Sequence, residues 1–271
     1  HRHDMPPTSG HHQLSGITPD SVELWLPTHY ERFPGEVPHL DLPEGVTLRR
    51  SNKDYGPATK ILPAVRRYRD RDVQLVYCDD DILYTSDFLK RLSRAAQARP
   101  DCCIAERGFE VSKNYGVNWR SQYLPKVGGR QKGWTYRAAR IASLGIWKPA
   151  NPPLSGFIDI AEGFGGVLVR PALLPDSAFD IPQIAMKADD IWLSGQMALN
   201  SVPIWQNVLG DGEEACSEAS ASDIHGLKDL SGADDRQRTH PDCVSYMQRE
   251  FGIWGGARAA PATTAQSPET Q

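Results

Sequence analysis

An apolar, β-prone run, Val73-Gln74-Leu75-Val76-Tyr77-Cys78, ends abruptly in three consecutive aspartates, Asp79-Asp80-Asp81. A few residues on, Thr85, Ser86 and Asp87 offer caps for a helix with Phe88, Leu89, Leu92 and Ala95 on one face. This order of strand, acidic turn and helix restricts the chain to folds with crossover helices. In open α/β sheets ligands bind beyond the carboxyl ends of the strands, which is where the aspartates fall.

The rest of the chain agrees. Val22 to Leu26, stopped by Pro27, and Val46 to Arg50 read as strands. Pro57 can open a helix running from Ala58 to Arg69, with Pro63 set to kink or shorten it. Cys102 to Ala105, Phe157 to Ile160 and Val167 to Arg170 are strand-like, and a helix is expected from about Ala188 to Leu199. Gly108 to Pro153 reads as a long loop rich in Gly, basic and aromatic residues. The expectation is α/β: one domain over 18–254, divided into halves at 107/108, between a flexible segment 1–17 and a disordered tail 255–271.

Composition removes several classes. A net charge of -4 argues against a nucleic-acid partner held by phosphate contacts. Five cysteines without a CxxC pair suit neither a disulfide framework nor a Cys-type zinc site. No apolar run approaches the ~18 residues needed to cross a bilayer, so no transmembrane segment is expected.

Asp79-Asp80-Asp81 contributes nothing to packing, and neighbouring like charges repel. Alternate residues of an extended segment point the same way, so Asp79 and Asp81 can share a hard cation, Mn²⁺ or Mg²⁺. Such an ion suits a diphosphate, as in a sugar nucleotide whose glycosidic bond is being broken. Two other readings remain open: a solvated turn that only caps the next helix, and a haloacid dehalogenase-type phosphatase with Asp79 as nucleophile.

Further candidates lie elsewhere. Asp54, in Asn52 to Lys60, is placed for nucleotide base or ribose contact, and Lys60 for phosphate contact near a helix N-terminus. In Lys187 to Gly195, Asp190 is the first choice for a general base, with Asp189 beside it and Trp192 behind; plain helix capping is the alternative. Glu162-Gly163-Phe164-Gly165-Gly166 suggests a turn close to a ligand, with Phe164 free to stack on a sugar. His225 could complete a metal shell.

Taken in order, Asp54 to Lys60, Asp79 to Asp81, Glu162 to Gly166 and Asp189 to Gly195 resemble GT-A-fold bacterial glycosyltransferases related to glycosyltransferase family 2. The resemblance spans about residues 18 to 210. It implies a Rossmann-type mixed sheet flanked by helices, with a nucleotide-sugar-binding half (18–107) and an acceptor-binding half (108–254). It also implies a divalent metal, with Asp79 and Asp81 serving ribose and metal-diphosphate, Asp80 beside them as a nucleotide-sugar contact, and a base at Asp190. Glu162, Phe164, Gly165, Gly166 and Trp192 would face the acceptor, a saccharide or glycolipid met in the cytoplasm or at the inner face of the membrane. Similar proteins begin with a strand and a Thr-Ile-Pro-Ser-Arg-like segment that contacts the base, where this chain has His1 to Gly16. That implies a sheet without its first strand, and makes a truncated or non-catalytic binding remnant the alternative.

Overall fold

The computed structural model describes residues 17–31, 40–79, 82–129, 134–143, 153–208, 216–218 and 233–257. In chain order the strands are β1 (Val22–Pro27), β2 (Val46–Ser51), β3 (Leu75–Tyr77), β4 (Ile82–Tyr84), β5 (Cys103–Ala105), β6 (Gly108–Phe109), β7 (Gly128–Gly129), β8 (Pro153–Leu154), β9 (Gly156–Ile158), β10 (Ile160–Ala161), β11 (Val167–Val169), β12 (Ile204–Gln206) and β13 (Cys216–Glu218). The α-helices are α1 (Leu62–Arg67), α2 (Phe88–Ala98), α3 (Val111–Tyr115), α4 (Trp134–Ala142), α5 (Asp189–Leu199) and α6 (Ala233–Phe251). None of the described helices is long and apolar enough to cross a membrane.

The centre is a mixed five-stranded sheet in the order β3-β11-β5-β12-β9. β11 runs antiparallel to both β3 and β5, while β12 is parallel to β5 and antiparallel to β9. Period-two side-chain direction explains why both faces are covered. Leu75, Tyr77, Cys103, Ala105, Ile158, Val167, Val169 and Ile204 enter one core, with Ile191, Leu193 and Met197 of α5 and Val244 and Met247 of α6. The alternate residues Val76, Ile104, Phe157, Leu168 and Trp205 enter the other, against Phe88, Leu92, Ala95 and Ala96 of α2. The chain is therefore mixed α/β with a helix-flanked sheet, as its pattern predicts.

Several expectations shift in detail. The helix expected from Ala58 to Arg69 is two pieces, a 3-10 helix Gly56–Lys60 and then α1. Each piece has a proline in its first two positions, where no intrahelical N–H is lost, so Pro63 starts a helix instead of kinking one. Val22–Pro27 and Val46–Ser51 form a parallel pair of their own and are not hydrogen-bonded to the five-stranded sheet. Gly108 to Pro153 is not one loop: α3, α4 and the strands β6, β7 and β8 lie within it. A strand absent from the sequence reading, β13, pairs with β4 just after the acidic triplet. Phe157 to Ile160 is broken at Asp159, where the chain passes from pairing with β12 to pairing with β6; there the Asp159 N–H goes to the Phe109 carbonyl at 3.1 Å and its Oδ2 accepts the Val111 N–H at 3.0 Å.

Arg91 of α2 fixes the end of the sheet that carries the acidic triplet. Its Nε and Nη2 donate to the two oxygens of the fully buried Glu106 carboxylate at 2.7 and 2.9 Å. Its Nη1 donates to Thr85 Oγ1 at 2.9 Å and to Asp87 Oδ1. The guanidinium thus ties the exit of β5 to the entry of α2 with bidentate geometry.

The turn 162–166 is set by packing. Gly166 has φ +85°, and a Cβ there would stand 2.2 Å from the Phe88 ring. Gly166→Ala is expected to destabilise the fold by about 2 kcal/mol or more, since overpacking and a left-handed non-glycine residue add. Urea denaturation measures it; a loss below about 0.5 kcal/mol would show that the ring can move aside at little cost.

Candidate functional site

Four elements converge beyond the carboxyl end of β3. The strand itself delivers Asp79. Tyr84 at the end of β4 holds that delivery in place: its hydroxyl accepts the Asp79 N–H at 3.1 Å and donates to the Phe164 carbonyl at 2.8 Å. The 3-10 helix ends on Lys60, and α5 opens with Asp189 and Asp190 in its first turn after Ala188, which holds the N-cap position.

Lys60 joins them. Its Nζ lies 2.7 Å from Asp79 Oδ1 and 3.3 Å from Asp189 Oδ2, and 5.9 Å from the centre of the Tyr77 ring. Burial pulls the ammonium toward neutrality, but Asp189, Asp190 and Asp79 outweigh it and hold its pKa well above the ordinary lysine value. Lys60 is therefore a fixed cation.

Asp190 is held from the other side. Its Oδ1 accepts the Gly163 N–H at 2.9 Å, while one turn later on α5 the Ser194 hydroxyl accepts the Ala161 N–H at 3.0 Å. Two side chains at i and i+4 thus grip alternate donors of the segment 161–163, while the Glu162 N–H between them goes to the Arg107 carbonyl at 3.1 Å. The approach is close: a Cβ on Gly163 would stand 2.6 Å from Lys60 Nζ and 3.2 Å from Asp190 Oδ1. Burial first, then the Asp189 charge, push the Asp190 carboxyl up to about 8, against the pull of Lys60 and the Gly163 N–H.

The charge does not balance. Asp79, Asp189 and Asp190 face one ammonium, and Asp189 Oδ2 is buried with no hydrogen bond, its ion pair with Lys60 notwithstanding. An all-oxygen, over-negative donor set has the chemistry of a hard divalent cation. Among the described residues no group of three or more His, Cys, Asp or Glu side chains is arranged to hold one. Asp80, Asp81 and His225 lie outside the described residues. A metal here would draw on Asp79 together with ligands from the substrate or from those positions.

Other candidates stand differently from the expectation. Asp54 is buried and already used: Oδ1 accepts the Gly56 N–H at 2.7 Å and Oδ2 the Glu31 N–H at 3.0 Å. With the Tyr55 N–H also bonded to Thr59 Oγ1, the 3-10 helix presents no open N-terminus there, and Asp54 is a turn-former. Trp192 is a core residue, 2% exposed, with its indole N–H on the Ala178 carbonyl at 2.9 Å, so it has no face for an acceptor. Gly165 and Gly166 pack against Arg107 and Phe88. Glu162 and Phe164 flank Gly163, and burial raises the Glu162 carboxyl despite nearby Arg107.

Tyr84 and Ser194 escaped the sequence reading. Ser194 carried a signal, one helical turn beyond Asp190. Tyr84 carried none, because its partners come from residues 79 and 164.

No protein-family model matches this chain, and no curated protein is similar to it in sequence.

Asp190 generates a stability test. The unfolded carboxyl loses its proton near ~3.9, whereas the folded one keeps it to about 8. In that window the folded state binds the extra proton, so this contribution is fully present below the unfolded pKa and is lost as pH rises through about 8. Asparagine cannot ionise and keeps the acceptor for Gly163. Asp190→Asn is expected to gain on the wild type between pH 5 and pH 9 by on the order of 2 kcal/mol, allowing for solvent access to the half-buried carboxylate. Paired urea melts at both pH values measure it, and a difference that does not grow with pH rejects the raised carboxyl.

Proposed function

We propose that this protein is a metal-dependent glycosyltransferase that moves a sugar from a nucleotide-sugar donor to an acceptor hydroxyl with inversion. The observation that carries the reading is the gathering of Asp79 from a strand end and Asp189 and Asp190 from the first turn of α5 around Lys60 and Gly163, at the carboxyl end of a sheet strand. The resemblance of the four sequence blocks to GT-A glycosyltransferases supports it.

In this reading Asp190 is the general base. It takes the proton of the acceptor hydroxyl as that oxygen bonds to the anomeric carbon, while the bond from the anomeric carbon to the diphosphate oxygen breaks. A carboxyl pushed up to about 8 has a stronger proton affinity than an ordinary aspartate, as a base working near neutrality requires. The electron pair leaves with the nucleoside diphosphate, whose charge Lys60 can meet once it exchanges Asp79 for a phosphate oxygen. Mn²⁺ or Mg²⁺, held by Asp79 with Asp81, would when bound supply further positive charge to the diphosphate. The Gly163 N–H keeps the carboxylate of Asp190 oriented.

A second reading is favoured by the two ion pairs of one residue. Lys60 is already paired with Asp79 and Asp189, so the site is internally compensated in part, as a non-catalytic nucleotide- or sugar-binding remnant would be.

A screen of nucleotide sugars for hydrolysis or transfer in the presence and absence of Mn²⁺ separates the two. Metal-dependent turnover is expected, falling about 100-fold or more in Asp190→Asn. The wild-type kcat/KM should rise with pH toward a plateau above about 8, because the base must be deprotonated. Binding of a nucleoside diphosphate without turnover of any donor would favour the remnant, and unchanged turnover in Asp190→Asn would remove Asp190 as base.

A further inference from the structure

Lys60 and the metal of the proposed reaction claim the same carboxylate. The ammonium donates to Asp79 Oδ1 at 2.7 Å, and a third of the Asp79 side chain is open to solvent. A divalent cation takes oxygen ligands at about 2.1 Å, so on that carboxylate it would stand beside a positive charge already bonded there. Like charges so close repel strongly. One must leave before the other can settle.

Asp189 gives the ammonium somewhere to go. Side-chain exposure falls from 34% at Asp79 to 22% at Lys60 and 12% at Asp189, so the ammonium lies between an outer and an inner carboxylate. It stands 3.3 Å from Asp189 Oδ2, and that buried oxygen accepts no hydrogen bond among the described residues. A small inward shift would satisfy it. The stem permits little more than that. Lys60 ends a 3-10 helix between the buried Thr59 and Ile61, and a Cβ on Gly163 would stand 3.1 Å from its Cε and 2.6 Å from its Nζ. Two carboxylates within reach and one short path between them make the ammonium a two-state element.

We propose that Lys60 gates the metal position: in the empty site its ammonium shuts a divalent cation out of Asp79, and the diphosphate of an arriving ligand opens the gate by drawing the ammonium onto its own oxygens, with Asp189 as the inner anchor. The identity of that ligand as a sugar-nucleotide donor rests on the glycosyltransferase reading. A diphosphate can do this because it offers more anionic oxygens than the two of Asp79, and because Asp79, once released, can join the metal that a diphosphate carries. Metal and diphosphate then enter as a unit, each raising the affinity of the other by the same factor. The ion pairs of the empty site are the closed gate.

The test uses the full chain and reads metal binding instead of turnover. Binding of Mn²⁺ without nucleotide, followed by the EPR signal of the free ion, is compared in the wild type, Asp79→Asn, Lys60→Met and the double variant. Lys60→Met is expected to lower Kd by about tenfold or more, Asp79→Asn to leave it within about twofold, and the double variant to lose the gain. A gain that survives in the double variant makes Lys60 a background charge, and weaker binding in Asp79→Asn alone shows Asp79 already open. Either result overturns the gate, as does Mn²⁺ binding no more tightly to Lys60→Met than to the wild type. In ¹⁵N-lysine NMR of the wild type, assigned with Lys60→Arg, the Lys60 ammonium signal is expected to stay in place on Mg²⁺ alone and to move on UDP, GDP or dTDP. This measurement stands in if Lys60→Met does not fold. A shift with Mg²⁺ alone, no shift with a bound diphosphate, or failure of all three diphosphates to bind overturns the proposal. Donor turnover is scored separately. Metal-dependent turnover by a wild type whose Asp79 already takes Mn²⁺ in the empty site rejects the gate alone, whereas a gate that opens for a diphosphate without turnover of any donor stands and rejects the transferase reading.

Discussion

One ammonium holds the acidic site together. Lys60 reaches Asp79 from a strand end and Asp189 from a helix start, and without it three carboxylates would face each other in a partly desolvated space. Two unit charges 4 Å apart at an intermediate dielectric interact by on the order of 4 kcal/mol, so such a cluster cannot assemble uncompensated. The cluster still carries more negative charge than Lys60 offsets. Asp190 answers this by retaining its proton toward neutral pH, while the buried Asp189 Oδ2, without a hydrogen bond, relies on its ion pair with Lys60 alone. A site that stores unbalanced charge in this way is poised for a cationic ligand or a proton, which is why its chemistry and its stability are linked.

The scaffold makes this placement rigid. Period-two alternation sends Tyr77 into one core and Val76 into the other, so the strand before Asp79 cannot slip by one residue without exposing both. On the facing side, Asp190 and Ser194 occupy one stripe of α5 and hold the N–H groups of Gly163 and Ala161. Arg91 locks the buried Glu106 to the start of α2, and Tyr84 bridges Asp79 to the 162–166 turn. The charged groups of the site rest on elements fixed by buried contacts, the arrangement that precise positioning requires.

The same segment serves two regions. The short β6–β10 ladder ends at Gly163 on one side and at Glu110 and Asp159 on the other, so the acidic site and a cavity beside Trp119 share one support. Spacing between them is set by backbone hydrogen bonds and not by mobile side chains.

Much of this was legible in the sequence, and the limits follow from range. The strand before Asp79, the helix after Asp87 and the helix opened by Asp189-Asp190 depend on local periodicity and propensity, which act over a few residues, although neither helix has the side-chain cap that the sequence offered. The prominence of Asp79, Lys60 and Asp190 was likewise visible, because clustered charge beside apolar strands has no packing purpose. Partnership was not visible. Asp54 looked free until its two oxygens were found on the Gly56 and Glu31 amides, and Trp192 looked accessible until helix rotation turned it into the core. Lys126 gave no sign, since its ion-pair partners at residues 110 and 159 are brought beside it only by the fold. The sequence alone determined the α/β alternation and which residue types could carry chemistry. Only the tertiary structure decided which of them meet, because hydrogen bonds and ion pairs between residues far apart in the chain are chosen by packing, and burial sets the charge each one keeps.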